Sequence, residues 1–343
     1  MRARNLGLAC GSLPTGERNS VADVPGVCVG HATLSDDAIR TGVTAILPHP
    51  GDMFCDQCVA AAVVLNGFGK SVGLMQLNEI GVLQTPILLT NTFAVGTCAN
   101  ALIRRAIAAN PEIGRRAPTV NPVVLECNDG YLNDIQAMAV TEAHAEAAIS
   151  AAAADFAVGS VGGGTGMSCF GFKGGIGSAS GRLRLDARDW HLGTLVLANF
   201  GRPGDLRLPS GEAMSPPRAE DAPETGSCIV VLATDVPLEH RQLRRVAMRA
   251  GVGLAWCGSF WGNGSGDIAL AFTTASRVPA RPATDLLAQH MLAEGCLDLL
   301  FRAAAEATQE AVLDALAAAE TMVGREGHRR VGLREVLLGR RAP

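Results

Sequence analysis

Glu224-Thr225-Gly226-Ser227-Cys228-Ile229-Val230 is the stretch on which the reading of this chain turns. Before it, residues 201–225 are rich in Pro, Gly, Glu and Arg and carry no hydrophobic period, the pattern of a linker. After it, residues 228–233 form an unbroken apolar run, the pattern of a strand buried on both faces. The Gly226-Ser227 bond is also suited to self-cleavage. The serine hydroxyl attacks the preceding carbonyl, and glycine has no side chain in the way and tolerates strained backbone angles. An N-to-O acyl shift gives an ester, and water opens it to leave Ser227 as a new N-terminus. A free α-amine titrates near ~7.7–8.0. It can therefore act as the base for its own hydroxyl, as in enzymes with an N-terminal threonine. Taken by itself, the same pair also reads as a plain loop-to-strand turn.

Outward from this junction, strands and helices are mixed. Strand signals fall at residues 60–65, 85–90, 121–126, 194–199 and 268–273, with short strands broken by turns over 19–45. Helical patterns fall at 100–110, at 135–154 and at 238–251, with one or two Ala/Leu-rich helices over 285–322. Residues 159–180 are dense in glycine, and no internal repeat is present. The alternation implies an α/β or α+β class with a layered core.

Composition narrows the function classes. The 343 residues are 48% hydrophobic and 18% charged, enough apolar mass for a large core and too much for a disordered chain. Net charge is −4, with no basic footprint for nucleic acid. The densest basic run, Arg241, Arg244, Arg245 and Arg249, has the spacing of one solvated helix face. No run of 18 apolar residues suggests a membrane span, and the first ten residues lack the apolar core of a signal peptide, so a cytoplasmic location is expected. The ten cysteines are then expected to be reduced. Cys55-x-x-Cys58 has no second pair to complete a zinc site, so neither metal nor cofactor is expected.

Several motifs fail on inspection. Gly69-Lys70-Ser71 resembles the end of a phosphate loop, but position 64, where the first glycine belongs, is Val. Gly162-Gly163-Gly164-Thr165-Gly166 would need glycine at 167 to be a dinucleotide fingerprint, and that residue is Met. G-x-S-x-G is absent, and no two of the seven histidines have ligand spacing.

The blocks around these elements carry a resemblance. They are Arg40-Thr41-Gly42-Val43-Thr44-Ala45-Ile46-Leu47-Pro48, Asn66-Gly67-Phe68-Gly69-Lys70-Ser71-Val72-Gly73-Leu74 and Thr85-Pro86-Ile87-Leu88-Leu89-Thr90-Asn91-Thr92. They continue with Asn128-Asp129-Gly130-Tyr131-Leu132-Asn133-Asp134, Gly163-Gly164-Thr165-Gly166-Met167, Phe172-Lys173-Gly174-Gly175-Ile176-Gly177 and Ala198-Asn199-Phe200-Gly201. Gly226-Ser227, Gly264-Ser265-Gly266-Asp267 and Ala319-Glu320-Thr321-Met322-Val323-Gly324-Arg325 complete the set. In this order and over nearly the whole chain, the sequence resembles the self-processing serine aminopeptidases of the DmpA type, the L-aminopeptidase/D-esterases and β-peptidyl aminopeptidases.

The resemblance implies one domain, a four-layer α/β/β/α sandwich with two central mixed sheets, cut into an α chain of residues 1–226 and a β chain of 227–343. It implies a hydrolase acting on short peptides, amides or esters through an acyl-enzyme, assembled as a homo-oligomer and often as an octamer. By the same resemblance Ser227 is the nucleophile and Asn199 the oxyanion donor. Ser265 and Asp267 form a Ser-x-acid pair that serves the Ser227 amine, and relatives with Glu in the acidic position leave the contacts of Asp267 open. Tyr131 is an active-site phenol. Glu126 is the candidate partner for a substrate ammonium, with Asp129 and Asp134 as rivals, and the Gly162–Gly166 loop is architecture or a source of N–H donors. Two other readings stay open: an acyltransferase of similar fold, weakened because those enzymes use threonine, and a non-catalytic scaffold or binding protein that would stay uncut.

Overall fold

The computed structural model describes residues 1–217 and 226–341, so Glu224, Thr225 and the rest of the 218–225 approach to the junction lie outside the described residues. In chain order the strands are β1 (Cys28–Asp36), β2 (Ile39–Leu47), β3 (Asp56–Gly67), β4 (Val82–Leu83), β5 (Ile87–Asn91), β6 (Val123–Cys127), β7 (Ser168–Cys169), β8 (Phe172–Lys173), β9 (Gly175–Leu185), β10 (Arg188–Asn199), β11 (Leu206–Arg207), β12 (Ala213–Met214), β13 (Ser227–Thr234), β14 (Gly266–Pro279), β15 (Met322–Val323) and β16 (Arg329–Arg330). The helices are α1 (Leu74–Ile80), α2 (Val95–Ala109), α3 (Glu142–Ser150), α4 (His240–Trp256), α5 (Leu297–Ala318) and α6 (Leu333–Arg341).

Two mixed sheets pack face to face. One has the order β1-β2-β5-β6 and the other β4-β3-β14-β13-β10-β9. Among these described strands only β5–β6 and β13–β14 pair in parallel. Between the sheets Val29, Ile46, Leu89 and Leu125 meet Ala60, Leu195, Ile229, Val231 and Leu270. Outside, α2 and α3 cover the four-stranded sheet, while α4 and α5 cover the six-stranded one. This is the four-layer α/β/β/α sandwich. All eight residues of β13 are buried, because the strand is central in its sheet and that sheet is covered on both faces. Its unbroken apolar run follows from that position.

The alanine content of α5 has a packing reason. A Cβ on Gly177 of β9 would lie 1.9 Å from the Ala311 carbonyl, and one on Gly253 of α4 would lie 2.4 Å from that of Ala305. Backbone meets backbone here, which only small residues allow. One face of α5 carries Glu306, Glu310 and Asp314, which bind Arg302, Arg4 and Arg2 and tie down the N-terminal segment.

Four expectations change. The helix expected over 135–154 is a short 3-10 turn at Ile135–Ala137 followed by α3. Met138 takes φ 46°, which stops a helix, and a capping box of Thr141 and His144 starts a new one. Residues 285–296 are not part of α5, which begins at Leu297. The stretch read as a linker is, over its described residues 201–217, a packed excursion: β11 pairs with β12, and Leu206, Leu208 and Met214 are buried. The arginines of α4 are not simply solvated. Arg241 and Arg245 both reach Glu294, at 2.6 and 2.5 Å, and Arg249 lies 3.9 Å from the Phe301 ring centre.

Candidate active site

The site begins with register. Ser227 opens β13 and stands opposite Asn199 on β10 and opposite Gly266 on β14. Residues from three strands, distant in sequence, thus meet at one end of the larger sheet. The Gly226 carbonyl accepts the Gly266 N–H at 3.1 Å, and the Ser227 hydroxyl lies 2.7 Å from that same carbonyl oxygen. Gly226 is required by packing as well as by access. A Cβ there would come within 2.3 Å of the Asn199 carbonyl oxygen and 2.6 Å of the Phe200 Cα.

The Asn199 amide has a fixed orientation. Its Oδ1 accepts the Ser168 backbone N–H at 2.8 Å, and its Nδ2 donates to the Asn128 carbonyl at 2.9 Å. An acceptor facing an N–H and a donor facing a C=O leave no ambiguity about which atom is which. Nδ2 carries a second N–H besides the one given to Asn128.

On the other side of β13, Ser265 and Asp267 flank Gly266 and are both fully buried. The Ser265 hydroxyl makes no hydrogen bond among the described residues. The Ser265 carbonyl accepts from the Phe68 N–H at 3.3 Å and from the Asn66 side chain, which also donates to the Gly262 carbonyl at 3.0 Å. The loop following β3 therefore braces the start of β14.

The same loop reaches the other sheet. Glu126, on β6 and 2% exposed, accepts the Lys70 N–H at 2.8 Å through Oε1 and the Thr92 hydroxyl through Oε2. A carboxylate so held is buried yet satisfied, and each oxygen retains a lone pair for an incoming cation. A Cβ on Gly69 would touch both Glu126 Oε1, at 3.5 Å, and the Gly266 Cα, at 3.9 Å. Gly69 thus spans from the carboxylate to the strand beside Ser227.

Of the rival carboxylates, Asp129 is buried and bound to the Asn133 side chain at 3.0 Å, and burial pushes its pKa up to about 6. Asp129 is thus already engaged by Asn133 and lies near the Lys173 ammonium. Asp134 uses its backbone to bind Ala38 across the loop and initiates the 135–137 turn. Tyr131 is 38% exposed, its ring stacked on His328 at 4.6 Å with the Arg330 guanidinium 3.5 Å from its centre. His328 also binds the Tyr131 carbonyl at 2.8 Å, and Arg325 the Gly130 carbonyl at 2.8 Å. The β15–β16 hairpin thereby clamps the loop whose Asn128 carbonyl holds Asn199.

Sequence reasoning missed Ser168, Lys173, Thr92, Asn66 and Arg330. Lys173 sat inside a quoted block as a basic residue between apolar and glycine neighbours, a signal visible but unread. Asn66 and Thr92 lie in such blocks too, but Asn66 acts through its side-chain amide, Thr92 through its hydroxyl, Ser168 through its backbone N–H and Arg330 through its guanidinium, and none of these leaves a motif. Among the described residues no group of three or more His, Cys, Asp or Glu is placed to hold a metal, and no helix is long and apolar enough to cross a membrane.

Comparison with known proteins gives the family and the fold. The model of peptidase family S58 matches residues 19–330. A β-peptidyl aminopeptidase, BapA, from Sphingosinicella microcystinivorans is 36% identical over 95% of this chain and 88% of its own. Among solved structures, a β-aminopeptidase from Burkholderia sp. superimposes with a TM-score of 0.90 at 41% identity, covering 99% of this chain and 98% of that one. The L-aminopeptidase D-Ala-esterase/amidase of Ochrobactrum anthropi, described as a variant of the Ntn-hydrolase fold, gives a TM-score of 0.88 at 35% identity, covering 98% and 96%.

Proposed function

The chain belongs to peptidase family S58, and on that premise we propose that it cuts itself between Gly226 and Ser227 and then works with Ser227 as its N-terminal nucleophile. The chain is an aminopeptidase/amidase with the N-terminal-nucleophile hydrolase fold. One observation carries the assignment of residues. Ser227 begins the central strand in register with Asn199, with its hydroxyl 2.7 Å from the oxygen of the carbonyl it would attack.

In the proposed cycle, the free amine of Ser227 takes the hydroxyl proton as Oγ bonds to the substrate carbonyl carbon. Asn199 donates to the oxyanion, a contribution of ~2.7–4 kcal/mol to the barrier for one donor of this kind. The C–N bond then breaks, and the proton passes to the leaving amine. Water, deprotonated by the same Ser227 amine, opens the ester and restores the hydroxyl. Glu126 binds the ammonium of the substrate's first residue and so selects free N-termini. Ser265 and Asp267 set the hydrogen bonding and field around the Ser227 amine. Tyr131, held between His328 and Arg330, offers its phenol to the oxyanion or to the substrate. The substrates are short peptides, amides or esters with a free amine, and β-aminoacyl and D-alanyl groups are within the class because the relatives named above act on them.

The intact mass of freshly purified, denatured protein tests this. Two species are expected, the smaller about one third of the whole and beginning at Ser227, while Ser227→Ala stays as one. A wild-type chain that remains single for days at neutral pH would remove the base on which the mechanism depends. Hydrolysis of L-aminoacyl, D-alanyl and β-aminoacyl p-nitroanilides by the cleaved enzyme then ranks the substrates.

A further inference from the structure

Lys173 is fully buried, yet no substrate contact is assigned to it. Its ammonium donates to three backbone carbonyls, those of Gly164 at 3.0 Å, Met167 at 2.9 Å and Gly174 at 2.8 Å. Three acceptors match the three N–H bonds of an ammonium. Burial, the largest influence, pulls the Lys173 pKa down to about 7, and the nearby Asp129 carboxylate opposes it.

The segment it holds has only short pairing of its own, a 3-10 turn at Gly162–Gly164 and the two-residue strands β7 and β8. Residues 162–175 contain seven glycines, each with more conformational freedom to lose than any other residue. They also touch the site. The Met167 carbonyl, fixed by Lys173 and by the Gly174 N–H at 2.9 Å, belongs to the same peptide unit as the Ser168 N–H. That unit is planar, so fixing the direction of its C=O fixes the direction of its N–H. The Ser168 N–H is what binds Asn199 Oδ1. The third acceptor, Gly174, packs on the same strand end, for a Cβ there would lie 2.2 Å from the Ala198 carbonyl oxygen.

We infer that Lys173 is a positioning residue for the reaction: it locks the Met167–Ser168 peptide plane and, through it, the amide of Asn199. The cation also withdraws charge through that peptide and makes the Ser168 N–H a better donor. The inference rests on the reading of Asn199 as the oxyanion donor.

A kinetic cycle of Lys173→Met, Asn199→Ala and the double variant tests it, with each protein first incubated until intact mass shows complete cleavage. Lys173→Met is expected to lower kcat 10- to 100-fold with KM within twofold, because an oxyanion donor acts only in the transition state and an error of about 1 Å in its placement is costly. In the Asn199→Ala background the same change should cost less than threefold. Lys173→Gln, which keeps two donors, should recover part of the loss. Equal losses in both backgrounds, or a folded Lys173→Met with unchanged kcat, overturn the inference. So does failure of both lysine variants to fold, which would make Lys173 a residue of the fold alone. If Asn199→Ala itself keeps full kcat, the oxyanion reading fails instead, and the two failures are distinct.

Discussion

Residues 162–175 and 201–217 look alike on paper, both short, both rich in glycine and neither with a hydrophobic period. In the molecule they are opposites. The first lies almost wholly inside, between the ends of the two sheets, and its glycines serve close approach. A Cβ would lie 2.8 Å from the Leu89 carbonyl at Gly163, 2.5 Å from the Ile176 nitrogen at Gly164 and 2.1 Å from the Arg40 carbonyl at Gly166. The second rides mostly on the surface. Gly204 and Gly211 have nothing within 4 Å of a Cβ, and their φ angles of 90° and 85° are the reason for glycine there. Every glycine of the first region serves close approach, while in the second Gly204 and Gly211 serve backbone handedness alone and Gly201, whose Cβ would lie 2.3 Å from the Phe170 ring, serves both. The first shapes the corner that orients Asn199, and the second leads the chain toward the junction.

The comparison breaks most easily at Gly174. Gly174→Ala drives a methyl into the Ala198 carbonyl at 2.2 Å, with no flexible side chain to yield, and should cost at least about 3 kcal/mol. Thermal unfolding reads the loss, and kcat should fall with it because Ala198 precedes Asn199. A stable, active Gly174→Ala enzyme would mean that the strand end tolerates displacement.

Limited trypsin treatment sharpens the contrast next. Within these two segments the first cut should follow the exposed Arg207 and not the buried Lys173, with rates differing by at least tenfold, or about 1.4 kcal/mol in access. Early cleavage after Lys173 would show the glycine segment opening on its own.

His31 supplies a pH test. Its Nε2 lies 3.0 Å from the Ala157 carbonyl and must donate, so Nδ1 accepts from the Thr44 hydroxyl at 2.9 Å. That hydroxyl in turn accepts the Gly163 N–H at 3.1 Å. Burial lowers the His31 pKa to about 4 from 6.5. The folded state keeps the ring neutral while the unfolded state takes up a proton below about pH 6.5, so this contribution is present above 6.5 and is lost as pH falls toward 4. Denaturant midpoints should fall more steeply over that window for the wild type than for His31→Gln, by about 2 kcal/mol at pH 5. Parallel curves would remove His31 from the acid response. The smallest effect belongs to the outer region: Gly211→Ala meets only the cost of a left-handed non-glycine residue, about 1 kcal/mol, and should leave kcat unchanged.

Much of the molecule is legible in its sequence because it rests on local physics. The apolar run after Ser227 announces a strand buried on both faces, the run at 194–199 places Asn199 at a strand end, and the ordered blocks point to a four-layer sandwich. The helix expected over 135–154 failed for a different reason: alanine-rich composition favours helix throughout, and a single left-handed Met138 with a cap at Thr141 divides it. What only the tertiary structure decided are contacts between residues far apart in the chain. Glu126 meets Lys70 and Thr92 because a loop crosses from one sheet to the other. Asn199 takes its orientation from Ser168 and Asn128, and Ser168 from a lysine buried beneath it. Composition and periodicity record which face of an element is apolar. They do not record which carbonyl a buried cation will find, because that depends on where two sheets end in space.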